Sequence, residues 1–198
     1  STPRDCFEMT ADAFDLAEQL QTPVIMLTDL DLGMNDHVSE PLVWDDKRKY
    51  NRGKVLDAEA LEKIEKFGRY LDVDNDGIPY RTYPGTHPTK GSFFTRGTSR
   101  DEYAVYTEDG EAYKRNVDRL MKKWETTKSL VPAPQLYQKT YQSKDGILFF
   151  GTSHYAAEEA MDMLKQDSIV LDAIRIKAFP FNNDVLDFID KHDRIFVI

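Results

Sequence analysis

The chain has a single cysteine, Cys6, among its 198 residues. That excludes an internal disulfide framework, a CxxC pair and any cluster held by several thiolates. Cys6 is expected to pack in a helix as a small hydrophobe, and its solitude fits a reducing, cytoplasmic setting. Positive charge is also scarce, with 26 basic against 35 acidic residues and a net charge of -9. Such a chain has too little basic surface to neutralise phosphates, which argues against a nucleic-acid binder. No apolar run approaches the length of a membrane span, and no signal-peptide pattern opens the chain. The histidines, His37, His87, His154 and His192, stand far apart without metal-ligand spacing. His192, at the end of an expected helix, reads as a dipole partner.

What is present suits a folded, soluble α/β chain. Hydrophobic residues make up 40% and aromatics 12%. The most distinctive stretch is 76–102, DGIPYRTYPGTHPTKGSFFTRGTSRDE. Glycine and proline are too frequent there for a helix interior or a central strand. Ile78, Tyr80, Tyr83, Phe93 and Phe94 are too apolar for a disordered linker. An ordered loop is expected, with at least two of its four aromatic residues buried within the chain or against a partner. A basic run, 47–54, follows the acidic stretch 29–46. The two read as solvated patches of opposite sign.

Periodicity lays out the rest. Thr2 as N-cap, Pro3 at the first helical position and Asp5 near the positive dipole end open a helix. Phe7, Ala11, Phe14, Ala17 and Leu20 carry its apolar spacing until Thr22-Pro23. Val24–Leu27 reads as a strand covered on both faces. Asp29 at its end either meets a ligand or caps the next turn. A helix is expected over 57–67, capped by Asp57, with Leu61, Ile64 and Phe67 on one face and Gly68 at its end. Another is expected over 109–127, with Tyr113, Val117, Leu120, Met121 and Trp124 on one side. The extended 130–134 segment, with Pro132 and Pro134, marks a domain boundary. Beyond it come a strand at 146–151, a helix at 155–166 with Ala156, Ala160, Met163 and Leu164 inward, and a strand at 169–176. A helix at 183–192, carrying Val185, Leu186 and Ile189, and a strand at 194–198 complete the order. Alternation of this kind predicts a parallel sheet of three or more strands, in a unit distinct from residues 1–35.

Three local motifs bear on chemistry. Asp72, Asp74 and Asp76 followed by Gly77 match the opening of a calcium loop. Position twelve, however, is Tyr83, which cannot supply the bidentate carboxylate. The same segment, Asn75-Asp76-Gly77, lacks the paired asparagine of a thiamine diphosphate motif. Gly151-Thr152-Ser153 joins a strand to a helix, a geometry that can bind anions, but it has neither GxGxxG spacing nor a P-loop lysine. His87, Lys90, Arg96 and Arg100 form a basic group in the glycine-rich loop. They could receive a carboxylate or phosphate, or pair with Asp101, Glu102 or the 29–46 stretch.

Three segments carry a family resemblance: DCFEMTADAFDLAEQLQTPVIMLTDLDLGMN at 5–35, RTYPGTHPTKGSFFTRGTSRDEY at 81–103, and RIKAFPFNNDVLDFIDKHDRIFVI at 175–198. Together they resemble the α-subunits of 2-oxoacid:ferredoxin oxidoreductases, particularly the 2-oxoglutarate type. Arg100 departs from the pattern, because relatives commonly carry histidine there. The resemblance implies thiamine-diphosphate-dependent oxidative decarboxylation of a 2-oxoacid with coenzyme A. The products would be an acyl-CoA, carbon dioxide and two electrons for a ferredoxin-type acceptor. It also implies three parts. Residues 1–35 would end a thiamine pyrimidine-binding-type domain, 36–134 would be an exit segment and linker, and 135–198 would begin a transketolase C-terminal-like α/β domain.

The family's cofactor-activating glutamate and its Tyr-Pro-Ile-Thr-Pro and Arg-Gly-Gly-Pro motifs do not occur in these 198 residues. By resemblance, the iron–sulfur ligands and the diphosphate and magnesium site belong to a β-subunit. The expectation is therefore a fragment that binds no cofactor itself. It would supply scaffold and interface to the rest of its α-subunit and to the β-subunit, with the loop 77–102 at the rim of a composite site. The start at Ser1 without methionine and the end inside a strand-like run suit that expectation. The alternative is a non-catalytic α/β interaction module with a weak calcium loop.

Overall fold

A computed structural model describes residues 2–138 and 140–198; Ser1 and Lys139 lie outside the described residues. The chain divides into two compact units. One comprises Ser1–Phe14, Val24–Arg48 and Lys128–Ile198; the other comprises Asp15–Pro23 and Lys49–Thr127. The compact units therefore do not follow the contiguous borders at 35 and 134. Residues 140–198 share a unit with most of 1–35, contrary to the separation expected from the 130–134 segment.

The first unit is built on a four-stranded sheet of order β1-β3-β2-β4. Its strands are β1 (Gln135–Leu136), β2 (Asp145–Phe150), β3 (Asp172–Ile176) and β4 (Arg194–Val197). β2 is parallel to β3, with Leu148 opposite Ile174, and parallel to β4, with Ile147 opposite Phe196. The expected strand–helix alternation thus produces the expected parallel ladder. The two-residue β1 adds an antiparallel edge, Gln135 opposite Arg175, which no apolar run announces.

Six helices accompany the sheet and loops among the described residues. In chain order they are α1 (Pro3–Leu20), α2 (Leu30–Met34), α3 (Ala58–Lys63), α4 (Gly110–Thr127), α5 (Ser153–Gln166) and α6 (Asn183–Lys191). The two faces of the sheet are filled separately, as strand alternation requires. Ile147, Phe149 and Ala173 pack with Ala157 of α5, joined by Tyr137, Met161 and Leu171. Ile174 packs with Val185 and Phe188 of α6, joined by Tyr141, Leu148, Ile176 and Ile195. Gly146 lets α6 approach closely: a Cβ there would lie 2.8 Å from the Phe188 ring.

α1 opens with the expected cap in reciprocal form. Asp5 N donates to Thr2 Oγ1 at 3.0 Å, and Thr2 N donates to the Asp5 carboxylate at 3.1 Å.

Three expectations need correction, and the loop aromatics find no burial within the chain. Val24–Leu27 takes no regular secondary structure, no strand pairs with it among the described residues, and Ile25 and Leu27 are 78% and 79% exposed. An apolar run favours extension; a ladder also needs a neighbouring strand.

α3 stops at Lys63 instead of reaching Phe67. Lys90 Nζ takes up the carbonyls of Glu62 and Ile64 at 3.1 and 3.2 Å, so a side chain from the loop closes the helix.

α5 turns Ala157 to the core, with Ala156, Ala160 and Met163 outward. Polar His154 and Glu158 can turn partly inward because the Tyr137 hydroxyl bonds both, at 3.2 and 3.0 Å.

None of the four loop aromatics is buried within the chain. Tyr83, Phe93 and Phe94 are exposed and Tyr80 is half-buried. Each lends a ring face to a cation: Arg81, Arg69, Arg96 and Lys54 respectively. Buried Ile78 anchors the loop instead, together with Thr82, whose hydroxyl donates to Gly91 O at 2.6 Å.

Candidate functional site

The second unit holds the glycine-rich loop and the acidic turn that precedes it. Asp72 folds that turn by accepting from the amides of Asp76 at 3.0 Å and Gly77 at 2.9 Å. Asp76 in turn accepts from Ile78 N at 2.9 Å. Asn75 and Gly77 both take positive φ, 60° and 80°. At Gly77 a side chain would also strike α4: a Cβ would lie 2.2 Å from Lys123 N.

The place a cation would take beside this turn is filled by the chain itself. Lys54 Nζ lies 2.7 Å from Asp74 Oδ2, 2.8 Å from the Asp76 carboxylate and 3.0 Å from Ile78 O. Hydrogen bonding to Lys54 leads in holding Asp74 below the usual carboxylate range, against the opposing effect of burial. The three aspartates thus make a turn clamped by an ammonium. Among the described residues no cluster of histidine, cysteine and carboxylate side chains is arranged to hold a metal.

The basic group separates into distinct arrangements. His87 and Lys90 belong together. His87 Nδ1 accepts from Thr89 N at 3.1 Å and Lys90 N at 2.9 Å, which leaves its proton on Nε2, 2.7 Å from Glu62 Oε1. Lys90 Nζ lies 3.5 Å from the same carboxylate. His87, then Lys90, lowers the Glu62 pKa. Both residues tie the loop to α3, using an acid other than those the sequence suggested. Arg96 is exposed, its guanidinium 5.1 Å from the Phe94 ring centre. Arg100 reaches Ala104 O at 3.5 Å and lies 5.9 Å from the Tyr106 ring centre.

In the first unit, the turn Gly151-Thr152-Ser153 does open a helix. Asp29 hydrogen-bonds Thr152 there through both side chain and backbone. It also accepts from Leu32 N at 2.9 Å as the cap of α2. Asp29 is therefore a capping residue, the plainer of its two readings. His192 caps α6 and is fully buried. Its Nδ1 lies 2.6 Å from Phe188 O and its Nε2 3.1 Å from Asp172 Oδ2, so both nitrogens face oxygen atoms. Sequence spacing pointed to the helix end; Asp172, twenty residues away, gave no signal.

The face of α4 is the feature that sequence reasoning left undecided. Ala112 and Thr127 are buried, Arg119 turns toward Gly77 of the loop, and Lys123 toward Leu20 at the end of α1. The apolar stripe is turned out: Tyr113, Val117, Leu120, Met121 and Trp124 are 36% to 60% exposed. A helix whose polar side packs inward presents an apolar surface suited to a partner.

No protein-family model matches the chain. A curated protein, the 2-oxoacid:ferredoxin oxidoreductase subunit alpha of Saccharolobus solfataricus, is 25% identical over 179 residues, 88% of this chain. A solved structure also matches: 2-oxoglutarate:ferredoxin oxidoreductase from Magnetococcus marinus, with 2-oxoglutarate, coenzyme A and succinyl-CoA bound. The match covers 98% of this chain at a TM-score of 0.80 and 21% identity. The chain spans 27% of the curated relative and 32% of the solved chain. Along most of its length, then, it is similar in sequence to a 2-oxoacid:ferredoxin oxidoreductase α-subunit and in fold to a 2-oxoglutarate:ferredoxin oxidoreductase chain.

Proposed function

We propose that this chain is the part of a 2-oxoacid:ferredoxin oxidoreductase α-subunit that supplies scaffold and interface rather than catalytic groups. The observation that carries this reading is the outward apolar stripe of α4, on a chain similar to one portion of a longer enzyme subunit. Ile25 and Leu27, exposed in a segment that joins no strand among the described residues, add a second surface ready for a neighbour.

The whole enzyme would decarboxylate a 2-oxoacid oxidatively, form an acyl-CoA and pass electrons to a ferredoxin-type acceptor. Thiamine diphosphate with magnesium, and the iron–sulfur cluster, would be held by the other parts. The residues here do not fit those groups. Cys6 is the only thiol in the sequence, and the carboxylates of the acidic turn are committed to Lys54 and to backbone amides. His87, Lys90, Arg96 and Arg100 would shape a loop at the rim of the composite site.

The occupied position of Lys54 disfavours the competing reading, a calcium-binding interaction module. Co-expression with the remaining α-subunit segments and a thiamine-binding β-subunit tests the proposal. Co-elution as one complex supports it. A chain that stays alone, or that reduces dye with a 2-oxoacid by itself, contradicts it.

A further inference from the structure

Beneath the turn at Tyr70–Asn75, the second unit gathers more positive charge than it balances. Arg69 and Arg119 place their guanidiniums 5.5 and 5.8 Å from the Tyr70 ring centre. Lys123 lies behind them, close enough for each to disfavour its charge. All three cations are half-buried. Their bonds go to neutral acceptors: Arg119 to Gly77 O at 2.9 Å, and Lys123 to Leu20 O at 3.0 Å and Thr22 Oγ1 at 2.6 Å. Burial first, then Arg69, lowers the pKa of Arg119 against the opposing charge of Asp72; burial first, then Arg119 and Arg69, lowers that of Lys123. Burying three like charges beside one carboxylate is costly.

An open cleft of about 350 Å³ adjoins this group, with Tyr70, Arg119 and Lys122 on its wall. Three acids also line it, and each is committed elsewhere. Asp72 accepts from the amides of its own turn, Glu102 pairs with Arg115, and Asp118 pairs with Lys114 at 2.7 Å. Lys122 reaches only the neutral side-chain oxygen of Asn75. Arg119, with the Asp72 carboxylate nearby, and Lys122 therefore face the cleft without an ion pair among the described residues, backed by Arg69 and Lys123.

We propose that this cleft is an anion site for a phosphate or phosphate monoester, held by Arg119 and Lys122 beside the Tyr70 ring. A guanidinium supplies paired donors to a tetrahedral oxyanion, and an ammonium supplies a point charge. The volume exceeds what free phosphate needs, which leaves room for an ester's organic part.

The test is calorimetric titration of the full chain with inorganic phosphate, and separately with a phosphate monoester, against sodium chloride of equal ionic strength. Saturable binding is expected, weakened about tenfold or more by Arg119→Gln and by Lys122→Gln, the scale of one lost charged hydrogen bond. Tighter binding of the monoester would identify the ester as the ligand type; equal binding would identify the free ion. Arg119 also holds Gly77 O, so Lys122→Gln, with circular dichroism as the folding control, keeps the question decidable if Arg119→Gln unfolds. Heat that follows ionic strength alone, or binding unchanged in a folded Lys122→Gln chain, overturns the proposal. Neither outcome bears on whether the chain joins an oxidoreductase.

Discussion

Lys54 Nζ lies 2.8 Å from the Asp76 carboxylate and 2.7 Å from that of Asp74, so one ammonium joins the connector after residue 48 to the acidic turn. The Tyr80 hydroxyl bonds the same Asp74. Removing the ammonium leaves two carboxylates facing each other across a partly exposed site. Lys54→Met is expected to cost about 1–2 kcal/mol, near the low end for charged hydrogen bonds because solvent screens the pair. Urea denaturation measures it, and a change within about 0.5 kcal/mol would show that the clamp contributes nothing. For the unaltered chain, calorimetric titration with calcium should give no micromolar binding. Such binding, abolished by Asp74→Ala, would make the turn a metal site.

Gly77 and Gly85 provide a matched pair. Both take positive φ, 80° and 82°. Only Gly77 faces backbone, with α4 in the way of a Cβ; around Gly85 nothing lies within 4 Å. Gly85→Ala should cost about 1 kcal/mol of backbone strain, and Gly77→Ala clearly more. Equal midpoint shifts in thermal melts would mean that the approach of α4 to the turn is wrong.

The phase of α5 and α6 is open to the same kind of comparison. Phe188 is completely buried, whereas Leu186 and Ile189 are exposed. Phe188→Ala should cost about 3–5 kcal/mol and Leu186→Ala about 0.5 kcal/mol or less. On α5, Ala157→Leu should overpack the core by about 1–3 kcal/mol, while Ala160→Leu should be nearly neutral. A reversed order on α5 would restore the inward face expected from the sequence, and on α6 would contradict the burial of Phe188.

Those two helices show where sequence reading reached and where it stopped. Parallel pairing followed from alternating element types, since a crossover helix between strands leaves few topologies. Caps at Thr2, Asp57 and Asn182 were similarly local; the first two were read in advance. Helix phase was not local. His154 and Glu158 turn inward only because Tyr137, on another segment, bonds them. α3 ends early because Lys90 arrives from the loop. The basic residues 87–100 were visible as a set, but their division into a helix clasp and two cation–aromatic contacts depends on Glu62, Phe94 and Tyr106. The exposed side of α4 was legible as a stripe, while its direction was set by Gly77 accepting Arg119 from the opposite side.

Acid should loosen the first unit through Asp5. Burial raises its pKa, but hydrogen bonds from Arg175 and Thr2, with the Arg175 charge, outweigh burial and bring it below 3.8. The folded state therefore keeps Asp5 ionised at pH values where the unfolded chain begins to take up a proton. This contribution is present above pH 3.8 and is lost as pH falls through the lower folded value. Asp5→Asn should lower stability at neutral pH and flatten the acid limb of a stability–pH curve. An unchanged limb would show that the Asp5–Arg175 pair carries no linkage.

The central claim is that α4 presents its apolar stripe to a neighbour. The most direct measurement is hydrogen exchange and co-elution of the chain with the remaining α-subunit segments and the β-subunit, comparing wild type with Leu120→Asp/Met121→Asp. The account predicts protection of 113–124 in the wild-type complex and loss of co-elution in the folded variant. Equal co-elution with no added protection over α4 would contradict it.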